Sequence, residues 1–353
     1  MKTLIIPMAG KSTRFPEGKP KWMLTHPKTN GYMVMESISG LNLDFFDQII
    51  FVATKKQEEI FCFSDGLNKQ LEEKDIHNKS RICLLSDETS SQSETVYRAL
   101  IKENISGYFY VKDSDSHFKV KINGDENVVS YADLSDQGKI NASSKSYIDM
   151  DQSNVINNII EKKVIGSTFS VGGYGFNSAE SFIETYESLE SFEGECYISH
   201  IIYEMILSGE IFYGLETTEF EDYGTIDDWN EYKNQYGVFF VDLDGTLVEN
   251  TGYYDKNSYG SGNPIQENID ALNELKKNDS KVIITTSRPE SERVLTVNEL
   301  KEKGVMYDYL IMGLPHCRRY LVNDFADSNP YPSAIAVNLK RNENNLGRLL
   351  GDK

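Results

Sequence analysis

The residues best suited to chemistry are two aspartates that follow an apolar run in the last third of the chain. Residues 238–241 read VFFV, and Asp242, Asp244, Gly245 and Thr246 lie directly after them. Side chains two residues apart on an extended backbone point the same way. Asp242 could therefore attack phosphorus as a nucleophile while Asp244 protonates the leaving oxygen. The spacing predicts phosphoryl-transfer chemistry at the end of a buried strand.

A second set of polar residues follows the first apolar segment, Thr3–Pro7, which predicts a buried strand. The turn after it combines small residues with two kinds of cation, and its candidates are Ala9, Gly10, Ser12, Thr13, Arg14 and Lys21. Backbone N–H groups in such a turn can wrap a triphosphate. The planar guanidinium of Arg14 can bind the triphosphate with two parallel hydrogen bonds, and the ammonium of Lys21 can add a positive charge. The turn therefore predicts a nucleoside triphosphate site.

This phosphate loop resembles the signature of the sugar-phosphate nucleotidyltransferases, in which Gly-x-Gly-x-Arg precedes Pro-Lys. Gly10, Arg14 and Lys21 hold the matching positions, and Ser12 stands at the second glycine. The resemblance extends through most of residues 1–236 and implies a Rossmann-like α/β domain built on a mixed sheet. It also implies transfer of a nucleoside monophosphate from an NTP to a sugar phosphate, with release of pyrophosphate.

The same resemblance assigns roles to residues further along the chain. It implies Mg²⁺ ligands at Asp115, with Asp113 as the alternative, and at Asp222 of a later Asp-x-Gly-Thr turn. Two carboxylates from distant segments suit one hard cation. In the same way, Lys162 is expected to pair with the acceptor's phosphate, and Gly173 to admit the acceptor close to the backbone.

The run at 238–247 resembles motif I of the haloacid dehalogenase-like phosphatases, and the similarity covers roughly residues 237–340. Thr286 then matches the hydroxyl of motif II that binds the transferring phosphoryl group, and Arg288 is expected to contact the substrate. Asp324 matches the acidic motif IV. The resemblance implies that Asp324, with Asp327 as an additional candidate, holds Mg²⁺ together with the two aspartates of motif I, Asp242 and Asp244.

The chain departs from the phosphatase pattern at Leu314, where related capless members carry a lysine. Leucine cannot supply the positive charge. Four basic residues could supply it from another position: Lys301, Lys303, Arg318 and Arg319. The other interpretation is that the domain has lost turnover. Only about 40 residues separate motifs I and II, which leaves no room for a large cap domain.

These residues need strands and helices to hold them. In the first part, apolar strands alternate with helical stretches, a βαβ pattern that predicts a largely parallel sheet. The predicted strands are Thr3–Pro7, Gln48–Ala53, Arg81–Leu85, Tyr108–Val111, Asn154–Glu161 and Phe169–Phe176, and the predicted helices are Thr95–Lys102, Ala179–Ser188, Tyr197–Ser208 and Thr225–Tyr236. An Asn-Gly pair at Asn123 predicts a hairpin between residues 119–122 and 128–132.

The strand pattern restarts after Tyr236, with a strand at Val238–Val241, a helix at Gln266–Asn278 and a strand at the start of motif II. The sequence thus predicts two α/β domains. A nucleotidyltransferase domain spans residues 1–236, and a capless phosphatase domain with a parallel sheet spans residues 237–353. A chain of 353 residues suits two domains of ordinary size.

Composition limits the partners. A formal net charge of −19 excludes a nucleic-acid-binding surface and argues against anionic membranes. No apolar run is long enough to span a bilayer, and the four cysteines lack any C-x-x-C spacing. A cytoplasmic enzyme is expected, and its oligomeric state is left open.

The expected function is bifunctional: an NTP-dependent nucleotidyltransferase for a sugar phosphate, fused to a Mg²⁺-dependent phosphatase for an intermediate of the same pathway, such as one leading to surface polysaccharide. Two alternatives remain. The acceptor could be a polyol or amino-alcohol phosphate with CTP as donor, or the C-terminal domain could be a non-catalytic assembly module. The sequence does not reveal the base or the acceptor.

Overall fold

The fold is given by a computed structural model. The structure describes residues 1–10, 19–137, 141–189, 194–234, 236–250, 262–324 and 333–351. The chain divides between Trp229 and Asn230 into two compact units, called here the first unit and the second unit. The domain boundary predicted from the sequence lies between Tyr236 and Gly237. Within the described ranges, no helix has the length and apolar character that crossing a membrane requires.

The first unit is built on one large sheet and a separate sheet of two strands. Its strands are β1 (Thr3–Pro7), β2 (Gln48–Thr54), β3 (Ser80–Leu85), β4 (Phe109–Lys112), β5 (Ser116–Lys119), β6 (Val128–Asp133), β7 (Ser146–Met150), β8 (Ile156–Glu161), β9 (Thr168–Phe176), β10 (Tyr213–Glu216) and β11 (Thr218–Asp222). Its helices are α1 (Met33–Ser37), α2 (Lys55–Phe61), α3 (Phe63–Glu73), α4 (Gln92–Lys102), α5 (Ala179–Ser188) and α6 (Ile198–Leu207), and α7 (Ile226–Asn234) contains the division between the units.

The order of the strands across the large sheet is β10-β6-β9-β4-β1-β2-β3, with β7 joined to β9 and β8 joined to β7, and β5 and β11 form the two-stranded sheet. Strands β3, β2, β1 and β4 run parallel, whereas β9 is antiparallel to both β4 and β6. The mixed sheet implied by the family resemblance is therefore confirmed. The parallel arrangement expected from the βαβ alternation holds for the β3-β2-β1-β4 half.

The central strands are buried on both faces, as continuous apolar runs in α/β sheets usually are. In β1, Leu4 and Ile6 face one core cluster, while Ile5 faces the other. The two clusters lie on opposite sides of the sheet because successive side chains of a strand alternate. This packing fixes the carboxyl ends of β1 and β4, where the polar loops begin.

The hairpin predicted around Asn123 is wrong. Strand β5 pairs with β11, and β6 pairs with β9 and β10. The intervening segment turns toward Asn42, whose side-chain amide donates to the Ile122 carbonyl and accepts from the Ile122 N–H, each at 2.9 Å. Val120 and Ile122 are buried in the core. These tertiary contacts outweigh the local preference of the Asn-Gly pair for a tight turn.

The second unit has a parallel sheet in the order β12 (Val238–Asp242), β13 (Lys281–Thr285) and β14 (Tyr309–Ile311). Its helices are α8 (Gln266–Lys277), α9 (Arg293–Glu302) and α10 (Leu346–Gly351). A separate apolar core joins the sheet to α8 and α9, with Leu243, Ile269 and Leu300 fully buried. The carboxyl ends of β12 and β13 lie side by side, because Asp242 is paired with Thr285.

Candidate functional site

The pairing of β5 with β11 brings Asp115 and Asp222 together. Asp222 lies opposite Ser116 in this ladder, and the Tyr223 N–H donates to the Asp115 carbonyl at 2.8 Å. A methyl group built on Gly224 would lie 3.0 Å from Asp222 Oδ1 and 3.6 Å from Asp115 Oδ2. Both carboxylates therefore face the same small space. Hard oxygen donors in such a space fit a divalent cation such as Mg²⁺.

Each of these carboxylates is also held by a lysine. The Lys21 ammonium donates to Asp115 Oδ2, and the Lys145 ammonium donates to Asp222 Oδ2. Burial alone would raise the pKa of the Asp115 carboxyl, but the charges of Lys21, Lys112 and Lys145 outweigh it, so the pKa lies below its ordinary value. The site thus holds Asp115 as a carboxylate.

Asp113, the alternative ligand, has different surroundings. Its Oδ1 accepts a hydrogen bond from the Gln92 amide, and its Oδ2 lies against Gly172. Burial and the charge of Asp115 raise the pKa of Asp113 from 3.8 to about 6. The neighbouring Lys112 is fully buried, and its ammonium donates to the Asp113 carbonyl at 2.8 Å and to Ser116 Oγ at 2.9 Å. Lys112 therefore fastens the loop that carries both aspartates.

The raised pKa of Asp113 predicts a pH-dependent stability. Between about pH 4 and pH 6, folded Asp113 keeps a proton that the unfolded chain has lost, so the free energy of unfolding should fall as pH rises, by at most about 1.4 kcal/mol per pH unit. Denaturant titrations at several pH values would measure this slope. Asp113→Asn should flatten it, whereas Asp149→Asn, which removes an exposed carboxyl of β7, should keep it. Identical slopes in wild type and Asp113→Asn would refute this account.

Two cavities meet at Asp113 and Asp115, and Asp222 lines the smaller of the two. The larger, of about 620 Å³, extends from Gly10, in the turn after β1, to Ser91 and Gln92 at the start of α4. Lys21 also lines it. The smaller, of about 170 Å³, continues past Asp115 and Asp222 along β7, β8 and β9. A nucleotide and a smaller molecule could therefore approach the aspartates from two sides.

The structure locates some of the predicted nucleotide-binding residues. Gly10 lines the larger cavity, and Ala9 before it is fully buried. The other three, Ser12, Thr13 and Arg14, lie outside the described residues. Their roles remain predictions.

The predicted acceptor residues, Lys162 and Gly173, lie near the smaller cavity without being among the described residues that line it. The exposed Lys162 donates to the Tyr197 hydroxyl, with its ammonium 4.1 Å from the centre of the tyrosine ring. Gly173 faces the Tyr110 hydroxyl, which a Cβ at this position would approach to 2.1 Å. Gly172, one residue earlier, does line the cavity. The absence of a side chain at Gly173 thus leaves space for the buried side chain of Tyr110.

In the second unit, Asp244 is bound by the two residues predicted to bind phosphate. Thr286 Oγ1 donates to Asp244 Oδ2 at 3.1 Å, and Arg288 donates to Asp244 Oδ1 through Nη2 at 2.7 Å and through Nε at 3.1 Å. Gly245, with a φ of 92°, turns the chain directly after Asp244. The strand ends therefore bring Asp242, Asp244, Thr286 and Arg288 into one site.

An arginine contacts the predicted nucleophile of the second unit. Arg319 Nη1 donates to Asp242 Oδ1 at 3.0 Å, so Arg319, one of the four candidate cations, reaches the predicted nucleophile. Burial raises the pKa of the Asp242 carboxyl, and the bond from Arg319 opposes that rise. Leu314 lies nearby, since its N–H donates to the Thr286 carbonyl at 3.2 Å.

Asp324 is exposed, and its carbonyl accepts a hydrogen bond from Ser333 Oγ at 3.1 Å. Within the described part of the chain, no polar contact joins the Asp324 carboxylate to Asp242 or Asp244, and no group of three acidic, histidine or cysteine side chains is arranged to hold a metal. In the described residues of the second unit, Arg288 holds Asp244 and Arg319 holds Asp242, and the metal role of Asp324 stays a prediction. The same is true of Asp327, which lies outside the described residues.

Arg288 belongs to a buried ionic chain. Its side chain is 3% exposed and lies between the carboxylates of Asp244 and Glu299. Arg288 Nη1 donates to Glu299 Oε2 at 2.5 Å. Glu299 is 2% exposed and also accepts from Lys303 at 2.9 Å. The charge of Glu299 thus permits Arg288 to be buried beside Asp244.

Glu299→Ala should destabilise the second unit by about 3–5 kcal/mol, because it leaves the buried Arg288 guanidinium with one partner fewer. Denaturant unfolding of the full chain, followed with probes for each unit, would measure the loss. Glu302→Ala, at an exposed position of the same helix, serves as the matched control. A second-unit transition within about 0.5 kcal/mol of wild type in Glu299→Ala would contradict the role given to Glu299.

Sequence reasoning missed three of these residues. Lys112 could have been noticed, because a lysine at the end of an apolar strand and beside two aspartates needs a partner. The roles of Lys145 and Glu299 could not be inferred from their immediate neighbours, since Lys145 contacts Asp222, 77 residues further along, and Glu299 contacts Arg288, 11 residues before it. Their roles follow from the β5–β11 ladder and from the packing of α9 on the sheet.

The comparisons with known proteins agree with the two units. Residues 239–312 match the family model of the haloacid dehalogenase-like hydrolases. None of the curated proteins matches the chain in sequence. Solved structures similar to the N-terminal two thirds share its fold and include several nucleotidyltransferases.

One of these structures is a nucleoside-diphosphate-sugar pyrophosphorylase from Vibrio cholerae RC9, with a TM-score of 0.54, 22% identity, and coverage of 65% of this chain and 99% of that chain. Another is a UDP-glucose pyrophosphorylase complexed with UDP-glucose, with a TM-score of 0.52, 13% identity, and coverage of 66% and 97%. A third is the inositol-1-phosphate CTP transferase from T. maritima, with a TM-score of 0.51, 14% identity, and coverage of 66% and 93%.

Proposed function

We propose that the first unit transfers a nucleoside monophosphate from an NTP to the phosphate of a small acceptor and releases pyrophosphate. The observation that carries this proposal is the pair Asp115 and Asp222, which lies where a larger and a smaller cavity meet. The larger cavity suits the nucleotide and the smaller one the acceptor. Similarity of fold to nucleotidyltransferases supports the same reaction.

In this reaction, an oxygen of the acceptor's phosphate attacks the α-phosphorus of the NTP. The bond from the α-phosphorus to the oxygen that bridges to the β-phosphorus breaks, and pyrophosphate leaves. The chain's own part is to align the two phosphates and to balance their charge with Lys21, Lys145 and the predicted Arg14. Mg²⁺ held by Asp115 and Asp222 would add further neutralisation of phosphate charge.

We also propose that the second unit hydrolyses a phosphate monoester. The Asp242 carboxylate forms a bond to phosphorus, Asp244 gives a proton to the departing alcohol oxygen, and water then releases phosphate from Asp242. Arg319 supplies the positive charge that Leu314 cannot. The match of residues 239–312 to haloacid dehalogenase-like hydrolases supports this assignment.

Together the two activities suit a bifunctional enzyme that makes a nucleotide-activated sugar and dephosphorylates an intermediate of the same pathway. Surface-polysaccharide synthesis is one pathway that uses such precursors. The second candidate is a CTP-dependent enzyme for a polyol phosphate. It is favoured by the likeness in fold to the inositol-1-phosphate CTP transferase.

A substrate panel would test the first activity and separate the two candidates. Release of pyrophosphate would be measured with CTP, UTP, GTP and dTTP, each offered with sugar 1-phosphates, an inositol phosphate and amino-alcohol phosphates in the presence of Mg²⁺. Turnover with a sugar 1-phosphate supports the leading proposal. Turnover confined to CTP with a polyol or amino-alcohol phosphate supports the second. No pyrophosphate from any pair would refute both.

A further inference from the structure

Two lysines stand opposite each other at the open end of the β7–β8 ladder. Ser146 of β7 pairs with Glu161 of β8, and the next residue outward on each strand is a lysine. The N–H of Lys162 donates to the Lys145 carbonyl at 3.0 Å, which closes the ladder at this point. Both lysines therefore start from the rim of the smaller cavity.

Their side chains then take different directions. Lys162 has a φ of 53°, in the left-handed region, and its exposed side chain packs on the Tyr197 ring. The side chain of Lys145 is only 14% exposed, donates to Asp222 and lies 5.3 Å from the centre of the Phe220 ring. Lys145 lines the smaller cavity, and among the described lining residues it is the only cation.

The rest of this cavity is rich in hydroxyl and carboxylate groups. The Glu161 carboxylate makes two hydrogen bonds within this lining. It accepts one from Ser146 and one, at 2.8 Å, from Ser199. Ser144 and Ser170 add further hydroxyl groups to the lining. Such a lining can exchange hydrogen bonds with a polyhydroxyl molecule. Its carboxylates repel a phosphate, and Lys145 supplies the positive charge that attracts one.

We propose that Lys145, rather than Lys162, binds the phosphate of the acceptor, and that the hydroxyl groups of the acceptor face Glu161 and the serines. This inference rests on the proposed nucleotidyl transfer and names the specificity residue for its second substrate. An ammonium has three N–H donors, so Lys145 can contact a phosphate oxygen while it keeps one bond to Asp222. The attacking phosphate is thereby placed next to the Asp115 and Asp222 carboxylates.

The test compares steady-state kinetics of Lys145→Met, Lys145→Arg and Lys162→Met, with the NTP and acceptor that wild type uses best. Loss of a charge-assisted hydrogen bond should raise the KM for the acceptor about 10- to 100-fold in Lys145→Met, with the KM for the NTP within about twofold of wild type. Lys145→Arg should recover part of the loss. Lys163→Met, which removes the charge of an exposed neighbour, is the matched control.

Three results would overturn the assignment. The first is a larger rise in acceptor KM for Lys162→Met than for Lys145→Met. The second is a fall in kcat of Lys145→Met at unchanged acceptor KM, which would make Lys145 only a positioning residue for Asp222. The third is an absence of wild-type turnover with the whole panel, which would refute the nucleotidyl transfer itself and is recognised before any variant is measured.

Discussion

Asp242→Asn is expected to lower the hydrolysis of phosphate monoesters by at least about 10³-fold, because an amide cannot act as the nucleophile toward phosphorus. Asp242 ends β12, directly beside Thr285 of β13, and Arg319 contacts its Oδ1. The substitution keeps the size of the side chain, so the fold of the second unit should be retained. Release of phosphate from a generic ester such as p-nitrophenyl phosphate, with Mg²⁺ present, is the measurement.

Asp270→Asn provides the matched control, since it makes the same chemical change at an exposed position of α8. It should hydrolyse the ester at the wild-type rate. Arg319→Met should also lose most of the activity if this arginine supplies the charge absent at Leu314. Equal hydrolysis by Asp242→Asn and wild type would show that the second unit is not the source of the phosphatase activity. Absence of hydrolysis in wild type would favour a non-catalytic module.

Asp222→Ala should reduce nucleotidyl transfer by about 10²–10³-fold, because it removes one of two carboxylates that face the junction of the cavities and frees Lys145 from its partner. Release of pyrophosphate with the best NTP and acceptor is the measurement. The hydrolysis assigned to Asp242 should be unchanged in the same preparation. That second activity provides an internal control for correct folding of the chain.

Asp227→Ala, which removes an exposed carboxylate in the first turn of α7, is the control for a nearby loss of charge. It should transfer nucleotide at close to the wild-type rate. If Asp222→Ala transferred nucleotide as fast as wild type, the assignment of Asp222 to the reaction would be wrong. Asp115→Ala is expected to resemble Asp222→Ala, because both carboxylates face Gly224.

Much of the fold could be predicted because its signals are local. The runs that form β1 and β12 are apolar and are followed by polar residues, so the strands and the site residues after them could be predicted together. Helix α5 begins and ends at the predicted residues, with Ser178 as its N-terminal cap. Local chemistry of this kind does not depend on the rest of the molecule.

The remaining features depend on contacts between distant segments. β11 is polar and half exposed, so its residue types do not show that it pairs with β5. The family resemblance predicted that Asp222 acts together with Asp115, but it did not predict this ladder. The contact of Asn42 with Ile122 displaced the predicted hairpin in the same way. Lys145 lines the smaller cavity, whereas Lys162, whose φ of 53° is left-handed, does not. Residue type alone could not show which of the two lysines lines it.

In the first unit, each of the two aspartates assigned to the reaction already has a lysine counter-ion. With an ammonium on Asp115 and another on Asp222, both carboxylates have a counter-ion before any ligand binds. A divalent cation held by these oxygens would add to this neutralisation. Because each ammonium has three N–H donors, Lys21 and Lys145 would still have donors for the anionic substrates while they stay bound to the aspartates.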